Sequence, residues 1–345
     1  MALAASVAFK TPLNEDSYPS IDPIQGLKIA CAEEMNVLHA TIEEHLKNDV
    51  PLLETVMKHL VLGGGKRLRP LLAIACYKAL TPAPSQKMVE LAAAIEFIHN
   101  ATLLHDDVVD ESQLRHGKAS ANILFGSKAS ILVGDFLFAK AFELMLGQEE
   151  KRVLPILAQV SQTITQGEVF QLGYVRTFDM PMDVLLHIIG TKTAALFAAS
   201  AEIGAALLGQ DSLQKDLHHY GKNLGITFQI IDDLLDYTGD STVLGKSIGD
   251  DLREGKVTLP LYIAHRDGTA EQKHILEKMI TQDTISEENL NSVLTILQST
   301  QSAAKCLALA EDHALKALEN LKKIQESPIK EHLQALPKKL LTRVQ

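Results

Sequence analysis

Apolar residues recur along this chain at intervals of three and four, the spacing that gathers them on one face of a helix. GLKIACAEEMNVLHATIEEHL keeps this period and loses it near Lys47, Asn48, Asp49 and Pro51. A second helix is predicted after Pro51; it stops at Gly63-Gly64-Gly65, where KRLRP turns into the helix of LLAIACYKAL. From Val89 to Asp110 neither Gly nor Pro interrupts the run, which predicts one long helix. SILVGDFLFAKAFELML, KRVLPILAQVSQTITQGEVFQL and DVLLHIIGTKTAALFAASAEIGAALL follow, each long enough to span a domain core. Another helix is predicted from Gln214 to about Asp236, and after it the glycine-punctuated TGDSTVLGKSIGDDLREGKVTLP reads as a loop. The remainder, to Gln345, is amphipathic helix and turn without a cluster of reactive residues and is expected to brace the rest. Residues 1–27 lack the period and read as a loose arm, leaving 28–345 as a single all-α domain.

Two of these helices end alike. Asp106-Asp107-Val108-Val109-Asp110 follows IEFIHNATLLH, and Asp232-Asp233-Leu234-Leu235-Asp236 follows LGITFQII, so one DDxxD spacing occurs twice after an apolar run. Asp106 and Asp110, four apart, share a helix face. At about 4 Å and an effective dielectric near 20, two such charges repel by roughly 4 kcal/mol, which a divalent cation between them relieves. Acids at a helix C-terminus also oppose the macrodipole, and local rules are most often broken at functional sites. Oxygen donors without a Cys or His cage fit magnesium, which takes the rest of its shell from waters and substrate phosphates. A lone DDxxD is more often a solvated helix end; its duplication is the signal.

Composition narrows the field. With 46% apolar residues, 5% aromatic and no Trp, the 345-residue chain suits a helical core rather than a sheet. A net charge of −10 with no basic stripe argues against a nucleic-acid partner. Cys31, Cys76 and Cys306 are too widely separated for a metal knuckle or disulfide framework, which points to a reducing compartment. The N-terminus lacks an Arg-rich amphipathic stretch, and no window of about 18 uninterrupted apolar residues predicts a membrane span, so a soluble, cytoplasmic protein is expected.

A site rich in carboxylates and magnesium suits diphosphates, which also need cations. Lys66, Arg67 and Arg69 follow the triple glycine, Arg115 lies just past Asp110, Lys192 lies in GTKTAALF, and Lys246 and Lys256 lie in the loop. Lys192 stands out because an unpaired ammonium in an apolar helix is costly. His99 interrupts an apolar face seven residues before Asp106, on nearly the same side.

In order, GGGKRLRP, HNATLLHDDVVD, GEVFQL, GTKTAALF and FQIIDDLLDYTGD…GKSIGDDLREGKVTLP resemble the motifs of trans-polyprenyl diphosphate synthases of the long-chain, octaprenyl or decaprenyl type, over about residues 28–343. The resemblance implies a helical bundle of the isoprenoid synthase type around a central deep cavity, and a homodimer. It implies that Lys66, Arg69 and His99 hold the diphosphate of isopentenyl diphosphate, and that Asp106, Asp110 and Asp232 are the principal magnesium ligands, with Asp107, Asp233 and Asp236 in the same clusters. Arg115, Lys192 and Lys256 would grip the diphosphate of the allylic primer; Thr193, Gln229 and Lys246 would line the same site, Thr193 and Gln229 with oxygens facing a developing carbocation. The allylic C–O bond would ionise, the isopentenyl double bond would attack, and a proton would leave to the released diphosphate, under a lid formed by Gly239 to Gly255.

Two positions depart from the pattern. His116 stands where a second arginine for isopentenyl diphosphate is expected, and it lacks the fixed fork and permanent charge of arginine. Ser247 replaces a proline in the loop, a milder change. Product length is expected to depend on Ala101 and Thr102, just before Asp106. Both are small, and no Phe, Tyr or Trp lies between Arg152 and Gly167. Phe97 and Leu157 are the side chains able to close the tunnel. By the resemblance, an unplugged tunnel implies a product of about eight to ten isoprene units, the kind attached to quinones such as ubiquinone. The rivals are a shorter-chain synthase of about three to five units on the same helical scale, a non-catalytic subunit of a heteromeric synthase, and a class I terpene cyclase. A cyclase would carry a spaced Asn/Ser/Glu motif in place of DDLLD.

Overall fold

The computed structural model describes residues 21–61, 65–115, 117–146, 151–238, 248–282 and 284–344. Asp22 begins the first helix by accepting from the backbone N–H of Ile24 (3.0 Å) and Gln25 (3.2 Å), with Pro23 in the first turn. That cap starts the fold at Pro23, inside the segment expected to be a loose arm to residue 27; residues 1–20 lie outside the described residues.

The helices run α1 (Pro23–Ala30), α2 (Ala32–Leu46), α3 (Pro51–Val61), α4 (Leu68–Leu80) and α5 (Gln86–Val109). A small antiparallel hairpin follows, β1 (Leu114–Arg115) with β2 (Lys118–Ala119), paired Leu114 to Ala119 and Arg115 to Lys118. Then come α6 (Ala121–Phe125), α7 (Ser127–Leu146), α8 (Val153–Leu172), α9 (Met182–Ile189), a π-turn (Gly190–Ala194), α10 (Ala195–Leu207) and α11 (Asp211–Thr238). Six shorter helices close the chain: α12 (Asp250–Arg253), α13 (Leu259–Asp267), α14 (Ala270–Ile280), α15 (Glu287–Ser299), α16 (Ser302–Glu319) and α17 (Pro328–Leu341). The all-α expectation holds.

Helix α5 is nearly buried all round, which an Ala92-Ala93-Ala94-Ile95 core permits. Its exception is a half-buried stripe of His99, Thr102, Leu103, Asp106 and Asp110, spaced by three and four. Two hydrophobic clusters meet beside it. One takes Leu217, Tyr220 and Leu224 of α11 with Leu196 and Phe197 of α10; the other takes Ile226, Ile230 and Ile231 of α11 with Ala194 of the π-turn. Polar side chains at this seam avoid the cost of sitting inside either core.

Glycine sets the closest helix approach. A Cβ on Gly225 would stand 2.6 Å from the Ala194 Cα, and one on Gly221 would stand 2.3 Å from the Phe197 carbonyl oxygen. Helices α10 and α11 therefore touch backbone to backbone. The C-terminal helices brace α11, as the Tyr220 hydroxyl donating to the Leu333 carbonyl (2.8 Å) shows.

One helical run, Met182–Leu207, is long and apolar enough to cross a membrane by length and composition alone, though it is not an uninterrupted apolar window. The π-turn joins α9 and α10 into this single stretch of 26 residues, so Thr191, Lys192 and Thr193 do not break it. In the fold, Leu196–Ala206 is core, buried against α4 and α11.

Candidate active site

The DDxxD spacing separates its own members. Asp106 and Asp110 point along the half-buried stripe, while Asp107, about 100° round the helix, is fully buried. Asp107 accepts from the Arg115 Nε at 3.0 Å and also from its Nη2, and its backbone carbonyl accepts from Asn122 (3.0 Å). Asp107, expected among the metal ligands, is thus buried and paired, and Arg115, expected to grip the primer diphosphate, is engaged by that carboxylate. Burial alone would lower the pKa of Arg115, but the Asp107 hydrogen bond and the charges of Asp107, Asp106 and Asp110 together outweigh it and raise it.

The second cluster divides in the same manner. Asp232 is exposed, and its charge reaches Arg69. Asp233 is buried and accepts from the Gln229 amide at 2.7 Å; burial, then the charge of Asp251, pushes its pKa well up. Asp236 caps α12, accepting from the backbone N–H of Asp250 (3.2 Å) and Asp251 (3.3 Å). Asp233 and Asp236 are thus engaged within the fold, whereas Asp232 is exposed and Asp106 and Asp110 are half-buried on the α5 stripe. These three are the ones the resemblance singled out.

Cations answer them. Lys192 sits in the π-turn, an irregularity of a kind frequent at functional sites. Its ammonium donates to Glu168 Oε2 at 2.7 Å and Gln171 Oε1 at 2.8 Å, both on α8. Gly167 makes that approach possible, since a Cβ there would stand 2.5 Å from the Thr191 hydroxyl. Lys256 donates to Asp110 Oδ2 at 2.6 Å and Glu254 Oε2 at 2.7 Å, bridging α5 to the segment after α12. Burial opposes the charge on Lys256, but Asp110, Glu254 and Asp251 prevail and raise its pKa. Next to Lys192, the Thr193 hydroxyl donates to Gln229 Oε1 at 2.7 Å, so Thr193, Gln229 and Asp233 form one chain of bonds.

Arg69 and His99 meet as expected, Nη1 to Nε2 at 3.0 Å. The guanidinium stacks over Phe197, 4.7 Å from the ring centroid, and its Nε is buried without a hydrogen-bond partner. Burial lowers its pKa to about 10, against the pull of Glu96 and Asp232, so it stays charged at neutral pH. Lys66 is exposed beside it in the chain. His116, Lys246 and Ser247, together with most of the expected lid, lie outside the described residues.

Asp106 carries the clearest electrostatic mark. Its pKa is pushed up to about 7 by burial, with Lys192 and Lys256 lowering it and Glu168 and Asp110 raising it. No hydrogen bond or ion pair reaches its carboxylate among the described residues. A bare carboxylate in an oxygen-only donor set fits a hard divalent cation. Among the described residues no three acids, His or Cys stand close enough to hold an ion by themselves.

Several site residues escaped sequence reasoning. Glu168 and Gln171 lie in GEVFQL, a quoted motif, yet nothing in its pattern names Lys192 as their partner 24 and 21 positions on. Arg343, near the C-terminus, sits over Phe228 at 5.6 Å, and after partial burial its charge is the main influence lowering the pKa of Lys66. On the chain-length side, Ala101 is 0% exposed, so Thr102 and Leu103 line the stripe below Asp106 in its place. Phe97 and Leu157, the possible plugs, are both 0% exposed within the core. A cavity of about 1190 Å³ forms an open trough between α7 and α8, lined by residues such as Phe138, Phe142, Gln166 and Phe170, and none of the six aspartates lines it.

Comparison with known proteins agrees with this geometry. Residues 50–297 match the family model for polyprenyl synthetase. The chain is 42% identical over 303 residues to octaprenyl diphosphate synthase of Escherichia coli (strain K12), covering 88% of this chain and 93% of that protein. It is 37% identical to the geranyl-diphosphate-specific all-trans-nonaprenyl-diphosphate synthase of Rhodobacter capsulatus, covering 94% and 100%. Among solved structures, a polyprenyl synthase from Caulobacter crescentus CB15 complexed with calcium and isoprenyl diphosphate superposes with a TM-score of 0.89 at 39% identity, covering 94% and 99%. The chain therefore belongs to the polyprenyl synthetase family and is a prenyltransferase.

Proposed function

We propose that the chain condenses an allylic diphosphate with successive isopentenyl diphosphate units in a magnesium-dependent reaction, building an all-trans polyprenyl diphosphate of about eight to ten units for a quinone side chain, along a helix face that rises about 1.5 Å per residue. The observation that carries the chemistry is the Asp106 carboxylate, unpartnered among the described residues and set amid two lysines and two further acids. Asp106, Asp110 and Asp232 would hold magnesium, whose charge stabilises the departing diphosphate.

The chain's own residues do the rest. Lys192 and Lys256 donate to the allylic diphosphate, exchanging their carboxylate partners for phosphate oxygens. Arg69, His99 and Lys66 hold the second diphosphate. Thr193 and Gln229 are oriented by their bonds to each other and to Asp233, with oxygen lone pairs left for the allylic cation. The isopentenyl double bond attacks that cation, and the proton lost from the isopentenyl unit goes to the released diphosphate. Water must be excluded from the cation, and Lys246 with its glycine-rich segment is assigned that covering role.

Long product is supported by the absence of Phe, Tyr or Trp on the stripe His99, Thr102, Leu103, Asp106 and by the named activities of the similar synthases. A homodimer in the cytoplasm belongs to the same proposal. Support for self-association comes from large apolar side chains exposed on α6, α7 and α8, including Leu124 (50%), Leu132 (67%), Leu146 (70%) and Val169 (65%). The test is to incubate the purified chain with farnesyl diphosphate and labelled isopentenyl diphosphate, with magnesium or with chelator, and to chromatograph the products. Magnesium-dependent long product supports the proposal. No transfer refutes it, and a product that stops at about four units, one helical turn or two below the acids, refutes the long-chain part.

A further inference from the structure

Two acids and two lysines crowd around Asp106: Asp110, Glu168, Lys192 and Lys256 are the charges that act on it. The pairing among them is selective. Lys256 is held by Asp110 (2.6 Å) and Glu254 (2.7 Å), and Lys192 by Glu168 (2.7 Å) and Gln171 (2.8 Å). Asp106 alone is left without a partner among the described residues, although the charge of Lys192 reaches it more strongly than any other. An ammonium on a flexible four-carbon stem normally moves to the nearest unpaired carboxylate. Something therefore holds Lys192 away.

Glu168 has the means. It lies three residues before Gln171 on one face of α8, so that two acceptors occupy two of the three ammonium hydrogens. Gly167 lets α8 come close enough to the π-turn for this contact to form. The other oxygen of Glu168, Oε1, is buried and has no hydrogen-bond partner, so the carboxylate is not retained to satisfy some second group. Keeping a charge in such a place is costly unless it has a task. We propose that Glu168 is a positioning residue that holds the Lys192 ammonium off Asp106 and so keeps that carboxylate open to the divalent cation; this rests on the metal role of Asp106 given above.

The test is a double-mutant cycle of Glu168→Gln and Lys192→Met, with binding of manganese alone to the purified chain measured by calorimetry and helical content checked for all four proteins. In Glu168→Gln, Lys192 falls onto Asp106 and the metal must displace it, so affinity is expected to drop about tenfold. In the Lys192→Met background there is no lysine to fall, and the same substitution is expected to change affinity by less than about twofold. An equal drop in both backgrounds overturns the proposal, since Glu168 would then act through its charge or as a ligand. No drop in either also overturns it. Failure of the metal role itself is distinguished by Asp106→Ala: if that variant binds manganese as the wild type does, the reading of Asp106 is wrong, whatever the cycle shows.

Discussion

Thr102→Tyr should shorten the product. Thr102 lies four residues before Asp106 on the half-buried stripe of α5, which places a tyrosine ring about 6 Å along the helix axis from the metal carboxylate. A growing chain would meet that ring early, so the main product should fall from about eight to ten isoprene units to about three to five on the same helical scale. Because Thr102 is only half buried and its hydroxyl bonds no further than the His99 carbonyl (2.8 Å), the ring demands less repacking there than at a core position. Ala101 offers a contrast: it is 0% exposed, and Ala101→Tyr should overpack the core at about 1–3 kcal/mol. Products from labelled isopentenyl diphosphate would be dephosphorylated and separated by chain length, with urea unfolding run alongside. Full activity with an unaltered long product in Thr102→Tyr would refute the assignment of this stripe to the tunnel wall.

Three further outcomes are expected. Without metal, the folded pKa of Asp106, about 7, lies above its ordinary value of 3.8, so its ionisation costs stability from about pH 4 upwards and in full above about pH 7; the melting-temperature advantage of Asp106→Asn over wild type should grow from pH 4 to pH 8, and a constant difference would contradict it. Arg115→Met should cost about 3–5 kcal/mol in urea unfolding, because it strands the fully buried Asp107 carboxylate, and a loss confined to primer affinity would instead return Arg115 to the diphosphate. Gly225→Ala should destabilise by about 1–3 kcal/mol and lower turnover, since its Cβ would stand 2.6 Å from the Ala194 backbone beside Thr193 and Gln229; unchanged stability would show that α10 and α11 can part freely.

How much of this the sequence disclosed depended on what each feature leaves in the residue pattern. Helices α2 to α5, α7, α8 and α11 were legible because their apolar spacing is unbroken, and the split of Asp106 and Asp110 from Asp107 follows from 3.6 residues per turn. The face of α5 below Asp106 was not. That helix is apolar on nearly every side, so periodicity cannot separate Ala101, buried, from Leu103, which lines the stripe. The π-turn leaves no mark either, because one extra residue within GTKTA changes hydrogen bonding and not composition. Partners distant in sequence, Glu168 to Lys192 and Asp107 to Arg115 among them, exist only once the helices pack. Motif resemblance named the lysine and the arginine; it could not show that each already has an acid of its own.

The proposal that Asp106, Asp110 and Asp232 hold magnesium makes departure of the allylic diphosphate depend on acids from two separate helices. Its most direct test is magnesium-dependent release of diphosphate from the allylic substrate by wild type, Asp106→Ala and Asp232→Ala, with circular dichroism on the same samples. Both variants are expected to keep the helical signal and to lose release at every magnesium concentration that saturates wild type. Near-normal release by either folded variant at limiting magnesium would contradict the claim.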